Sequence, residues 1–254
     1  GWKIKEESFL KDVDAISDLK LRLGYGITGQ QDLSQGDYPY MATYYAGQDG
    51  AFYQLGDQFI KISRPDGYNP NLKWEETRSY NIGIDFSSKR GKIYGSIDFY
   101  SKNTSNILFQ STAIQPAPAS IYFINLPANL MNTGVEIGLG VNIIDKQDVT
   151  LDVSANYSNN KNMLKNFTQN GLDIRIITGE ISGQGVSGTL GQVITNNQPV
   201  NAFYLKTFGG FDASGNQIIG DAPIVYGDPN PHNLFGLSTT LRYKKFVLTL
   251  NSGG

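Results

Sequence analysis

The amino-acid sequence predicts an all-β chain of about seven antiparallel strands, and three observations carry that reading. Runs that alternate apolar and polar residues recur along the chain, and very short polar turns join several of them. The composition, with 29 Gly, 15 Tyr and 13 Phe but only 17% charged residues in 254, suits strands and turns better than helices.

The segment 1–17 is the exception. Phe9, Leu10, Val13 and Ile16 stand at near-helical spacing behind Ser8, which predicts a short amphipathic turn or helix packed on a strand end, with Trp2 at an interface. Leu19, Leu21, Leu23, Tyr25 and Ile27 then form one face of a strand whose other face is Lys20, Arg22, Gly24 and Gly26. After a long polar and aromatic stretch, Leu72 to Lys102 reads as a β-hairpin. Tyr80, Ile82, Ile84 and Phe86 share a face, as do Ile93, Gly95, Ile97 and Phe99, across a turn at Lys89, Arg90 and Gly91 in which the glycine takes φ > 0. Val135 to Ile143 and Val149 to Tyr157 repeat the pattern around a tight turn at Asp145 to Gln147. Phe235 to Tyr243 and Phe246 to Leu250 do so around Lys244-Lys245.

Long and short connections alternate. Segments of about 28–78, 103–132 and 158–233 are far longer than the loops of ordinary compact domains, whereas outer-membrane barrels pair long external loops with short periplasmic turns. The turns at Lys89, Lys146 and Lys244 are therefore assigned to the periplasm and the three long segments to the exterior. Aromatic residues gather at strand ends of the apolar face: Tyr25, Tyr80, Phe99, Tyr157 and Phe235 at one level, Phe86, Tyr243 and Phe246 at the other. Two such levels mark membrane interfaces. The opposite face is polar and glycine-rich, which suits a wet or plugged lumen. Seven strands do not close a bacterial barrel with an even strand count, and no leader peptide stands at Gly1, so the chain reads as one part of a large transmembrane barrel, without its plug domain and closing strands.

Composition sets further bounds. No run of 18 apolar residues exists and mean hydropathy is -0.30, so no transmembrane helix is expected; in a barrel only alternate residues meet lipid. The absence of cysteine removes disulfide, thiolate-metal and redox-pair chemistry. A formal net charge of -2 leaves no basic stripe for nucleic acid.

The sequence offers no catalytic residues, no metal site and no cofactor site. His232, the single histidine, lies in a turn beside Pro231. Asp85 and Asp98 fall on facing strands on the polar side, where lumen solvation accounts for them better than paired-carboxylate chemistry does; Asp98→Asn is accordingly expected to be nearly silent. Asp212-Ala-Ser-Gly-Asn lacks the oxygen ligands of a calcium loop and reads as a turn. In Asp228-Pro-Asn-Pro the prolines fix φ and the Asp caps a turn. Candidate contact residues for a substrate or partner are loop aromatics: Tyr38, Tyr40, Tyr44, Tyr45, Tyr53, Phe203 and Tyr204. Stacking on sugar rings and simple packing of the loop fit them equally.

Asn69-Pro-Asn-Leu-Lys-Trp-Glu75, YNIGIDF (80–86) and GSIDFYSKNTSNILF (95–109) together resemble the barrel of TonB-dependent outer-membrane receptors, specifically the SusC/RagA nutrient importers. LKLRLGYGITGQQ (19–31), MNTGVEIGLGVNI (131–143), QPVNAFYLKTFGGFD (198–212) and GDPNPHNLFGLSTTLRYKKF (227–246) extend the likeness over nearly the whole chain, in the family's order. The resemblance implies a transporter rather than an enzyme, in the outer membrane of a Gram-negative bacterium, importing an oligosaccharide or a peptide. It implies a SusD-like surface lipoprotein docked on the external loops, with the glycine-rich Ser182 to Gln192 as one contact, and a TonB complex acting through an N-terminal part outside the chain. A soluble cell-surface β-sandwich that binds carbohydrate, and a β-rich glycosidase, are the alternatives.

Overall fold

In the computed structural model of the protein, the alternating runs pair into one antiparallel sheet of eight strands. The structure describes residues 1–30, 38–46, 52–114, 119, 121–184 and 188–254. The strands are β1 (Trp2–Lys3), β2 (Ile16–Gly29), β3 (Glu76–Ser88), β4 (Ile93–Ser105), β5 (Asn129–Asp145), β6 (Val149–Lys165), β7 (Asn233–Tyr243) and β8 (Phe246–Gly253). Each pairs only with its sequence neighbours, so the sheet is a simple meander. β2 to β8 are the seven strands expected from alternation; β1 is too short to alternate.

The tight turns fall where the sequence puts them. Between β3 and β4 both Arg90 (φ 61°) and Gly91 (φ 67°) enter the left-handed region. Between β5 and β6, Lys146 and Val149 exchange backbone hydrogen bonds of 2.9 and 3.2 Å. Lys244 (φ 52°) turns β7 into β8. One register shift, at Ser17, is fastened by its hydroxyl, which donates to the Ser88 carbonyl at 2.7 Å.

Segment 1–17 is not helical. A 3₁₀ turn at Ile4–Glu6 passes into irregular turns, and Phe9 is exposed. The Lys5 ammonium donates to the carbonyls of Leu10, Lys11 and Val13 at 2.8–2.9 Å and ties these turns together. Trp2 donates its indole N–H to Glu7 at 2.7 Å.

The two faces of the sheet differ as expected. Ile84, Ile97 and Ile137 sit side by side across three strands of the apolar face, and much of that face is open, with Leu23 68%, Phe235 60% and Leu250 61% exposed. Tyr25 opposes Tyr80 and Tyr157 opposes Phe235, each pair with ring centroids 5.0 Å apart. Tyr243 opposes Phe246 at the far end. From Phe235 to Tyr243 the strand travels about 27 Å, or about 20 Å of height at the usual barrel tilt, the scale of the apolar band between aromatic girdles.

Pairing continues past the alternating runs: β5 and β6 stay in register up to Asn129 and Lys165. From Ser158 to Asn162 the residues are polar on both faces, so hydrophobic period vanishes while backbone hydrogen bonding persists. The long connections are themselves folded. Hairpins form from 52–55 with 58–61, 107–112 with 121–126, and 208–211 with 217–219, and 175–181, 189–195, 202–205 and 224–227 build a four-stranded sheet. Among the described residues, the buried apolar side chains are Leu126, Ala128, Leu164, Phe167, Val193 and Ala202, all in these connections or the strand ends beside them. The packed core thus sits above the sheet.

Candidate functional site

Two surfaces carry polar chemistry: the polar face of the sheet and the platform of connections at its end. On the polar face, three long side chains each cross a neighbouring strand over a glycine. Arg22 on β2 passes over Gly83 of β3, forms a two-pronged pair with Asp85 at 2.8 and 2.8 Å, and reaches Asp98 of β4 at 2.8 Å. Tyr94 of β4 lies over Gly140 of β5 and donates to Asp152 of β6 at 2.9 Å. Tyr100 of β4 lies over Gly134 and donates to Asn160 of β6 at 3.0 Å. At each of the three glycines a Cβ would collide with the crossing side chain. Asp85 and Asp98 therefore share one guanidinium, and Asp98 is not the lightly held, solvated carboxylate that the sequence suggested.

At the platform, Phe167 meets Phe109 edge to face with centroids 6.1 Å apart, over Leu126, Ala128 and Leu164. The buried Ser111 hydroxyl accepts from the Gln169 amide at 2.6 Å, a second tie between the two connections. The first connection joins them through its Leu-Lys-Trp-Glu motif. Asn125 accepts from the Lys73 N–H and donates to the carbonyls of Lys73 and Asn106, all at 2.8 Å, and the Glu75 carboxylate accepts from the Leu108 N–H at 2.8 Å. Asp212 is a turn cap: the Asn216 and Ser214 N–H groups donate to it, Asn216 first in effect, and hold its carboxyl below the ordinary value. At Asp228 burial pushes the carboxyl up, but hydrogen bonds from the Asn230 backbone, the His232 ring and the Asn230 amide outweigh it and lower it overall.

Residues 10–252 match the family model for the TonB dependent receptor-like β-barrel. The chain belongs to the TonB-dependent receptor β-barrel family. The TonB-dependent receptor SusC of Bacteroides thetaiotaomicron is 35% identical over 260 residues, which cover 97% of this chain and 26% of that protein. TonB-dependent receptor P3 of Formosa agariphila is 26% identical over 98% of this chain and 27% of its own length. The structure of the RagAB peptide importer in the "open-open" state shares the fold with a TM-score of 0.75 at 20% identity, over 98% of this chain and 27% of that one. The chain spans about a quarter of the length of these relatives. They are receptors and transporters, not enzymes, and the SusC/RagA likeness read from the sequence is matched by them.

In such a barrel the polar face with its three crossings is the lumen wall and the open apolar face meets lipid. Among the described residues the candidate aromatics are spread over separate pieces of the connections. Tyr38 and Tyr40 pack edge to face at 6.3 Å, Tyr44 pairs with Pro65 in a short ladder, and Tyr53 sits on the 52–55 hairpin strand. The side chain of Tyr45 lies outside the described residues, as do 185–187 within the glycine-rich segment and most of the Pro/Ala-rich 115–120. Phe203 and Tyr204 are on the four-stranded platform sheet, where Arg175 donates to the Tyr204 hydroxyl at 3.3 Å. Sequence reasoning missed Arg22 and Asn125. Arg22 becomes visible only once β2, β3 and β4 are aligned and Gly83 falls between Arg22 and Asp98; Asn125 carries no signal in the sequence.

Proposed function

We propose that this chain forms part of the wall and outer mouth of a TonB-dependent importer in the outer membrane of a Gram-negative bacterium, taking up an oligosaccharide or a peptide. The observation that carries the reading is the sheet itself: an open apolar face between two aromatic levels, backed by a cross-linked polar face. A soluble sandwich buries such an apolar face against a second sheet. A glycosidase needs two separately poised carboxylates, whereas Asp85 and Asp98 are tied to one guanidinium. A SusD-like lipoprotein on the loop platform and a TonB complex acting through regions outside this chain complete the machine. The test is fractionation and uptake with the full-length protein. Recovery from outer membranes only with detergent, and nutrient uptake abolished by deleting TonB, are expected; recovery in the soluble fraction overturns the reading.

A further inference from the structure

The outward, apolar face carries a graded strip along β6. Ala155, Tyr157, Asn159 and Lys161 follow one another at every second position of that face, about 20 Å along the strand, or about 15 Å of height at the usual barrel tilt. Apolar, aromatic, amide and cationic side chains thus succeed one another, in the order of acyl chain, interface and headgroup in a leaflet. Between Leu139 on β5 and Leu237 on β7 the small Ala155 leaves a recess of about 550 Å³, bordered also by Ile137 and by the paired rings of Tyr157 and Phe235. Above the rings the amides are oriented by the protein. The Asn233 carbonyl oxygen accepts from the Tyr157 hydroxyl at 2.8 Å and from the Asn159 amide at 2.9 Å, which leaves the Asn233 NH₂ without a partner among the described residues. The Asn159 amide also donates to the His232 carbonyl at 3.0 Å, which leaves the Asn159 oxygen open. One step further, the exposed Lys161 has no ion-pair partner among the described residues. Asp228, on the adjoining stem, is committed to its own turn, where it accepts from Asn230 and His232.

Free donors at Asn233 and Lys161 thus stand over an apolar recess, with the Asn233 amide set before any ligand arrives. Resting on the outer-membrane reading above, we infer that this strip binds one phosphorylated glycolipid of the outer leaflet. Its phosphate sits on the Lys161 ammonium and the Asn233 NH₂, and one acyl chain fills the recess at Ala155. Two unpaired donors, one of them cationic, select an anion over a neutral head. The open Asn159 oxygen accepts from a sugar hydroxyl or amide beside the phosphate. Height decides the leaflet, because the strip climbs from the apolar band through the outer aromatic level toward the long loops, while inner-leaflet headgroups lie at the short-turn end. The strip faces away from the lumen, so its ligand is a membrane component and not a solute in transit.

The test uses full-length protein purified in detergent and stripped of lipid, as wild type, K161E, A155L and, for a charge control on the polar face, K102E. Each is mixed with diphosphoryl lipid A or with phosphatidylethanolamine, whose phosphate is neutralised by its own ammonium, and bound lipid is counted by native mass spectrometry. Wild type and K102E are expected to carry one lipid A at concentrations where phosphatidylethanolamine adds none. K161E is expected to bind at least fivefold less and A155L at least threefold less, with heat-modifiable gel migration unchanged. The inference is overturned if phosphatidylethanolamine binds as well as lipid A, if either site variant binds lipid A like wild type, if K102E loses as much as K161E, or if no lipid A binds. Should K161E or A155L lose folded migration, K161Q, which breaks no bond within the described protein, carries the comparison with a loss of at least threefold expected. Fractionation separates this from the outer-membrane reading. Protein that needs detergent for recovery but binds lipid A regardless of these substitutions sinks the lipid site alone; protein recovered without detergent sinks the membrane reading itself.

Discussion

Arg22 on β2 and Asp98 on β4 form an ion pair of 2.8 Å that spans an entire intervening strand, and Gly83 is the gap through which it passes. A methyl at Gly83 would lie 2.8 Å from the guanidinium carbon. Gly83→Ala is expected to destabilise the barrel by about 1–3 kcal/mol, the usual range for overpacking. Gly26→Ala, on the same face with nothing within 4 Å, serves as the comparison and is expected to be neutral. Thermal transitions of heat-modifiable migration measure both, and equal effects would contradict the crossing.

The apolar face is tested at its centre. Ile84, beside Ile97 and Ile137, is expected to lose roughly 2–4 kcal/mol on substitution by arginine. Thr240→Arg, on the polar face, is expected to leave insertion unchanged. Similar losses for the two would reverse the assignment of faces.

Asn125 holds the first and second loops together with two hydrogen bonds to Lys73 and braces its own loop with a third, to Asn106. Asn125→Ala should cost about 1–3 kcal/mol locally, because it strands both backbone groups of Lys73. Hydrogen exchange across residues 69–75 is expected to accelerate while the strands stay protected; unchanged exchange would show that the clamp is dispensable.

Phe167 anchors the platform core, and its replacement by alanine is expected to cost about 3–5 kcal/mol. The loss should be confined to the platform, since the sheet is held by its own ladders. Limited proteolysis is expected to cut within 168–232 while the barrel keeps its migration.

At the base of the third loop, Asp228 has a side chain only 9% exposed and accepts from Asn230 and His232. Its folded carboxyl lies below the ordinary value of 3.8, so its contribution is present above that pH and is lost as pH falls through the folded value. Exchange at residues 228–233 is expected to rise below about pH 4, and Asp228→Asn should raise it already at neutral pH. A wild-type profile that stays flat down to pH 2 would remove Asp228 from this role.

Alternation along the chain determined the strands, their order, their turns and the identity of the two faces, because side-chain direction in a strand has a period of two and needs no partner to be read. It marked Gly91 as a turn glycine and Ile84 as apolar-face, and the structure agrees. Tertiary structure alone decided the rest. Register, which brings Gly83 between Arg22 and Asp98 and Gly134 between Tyr100 and Asn160, is a property of three strands at once and is invisible in any one of them. The fold of the long loops was equally hidden: their core joins Phe109 to Phe167 and their clamp joins Lys73 to Asn125, contacts between residues too far apart in sequence for any local period to record. In segment 1–17 the local pattern admitted either a turn or a helix, and the structure settles on turns gathered around the Lys5 ammonium, a contact that no local period records.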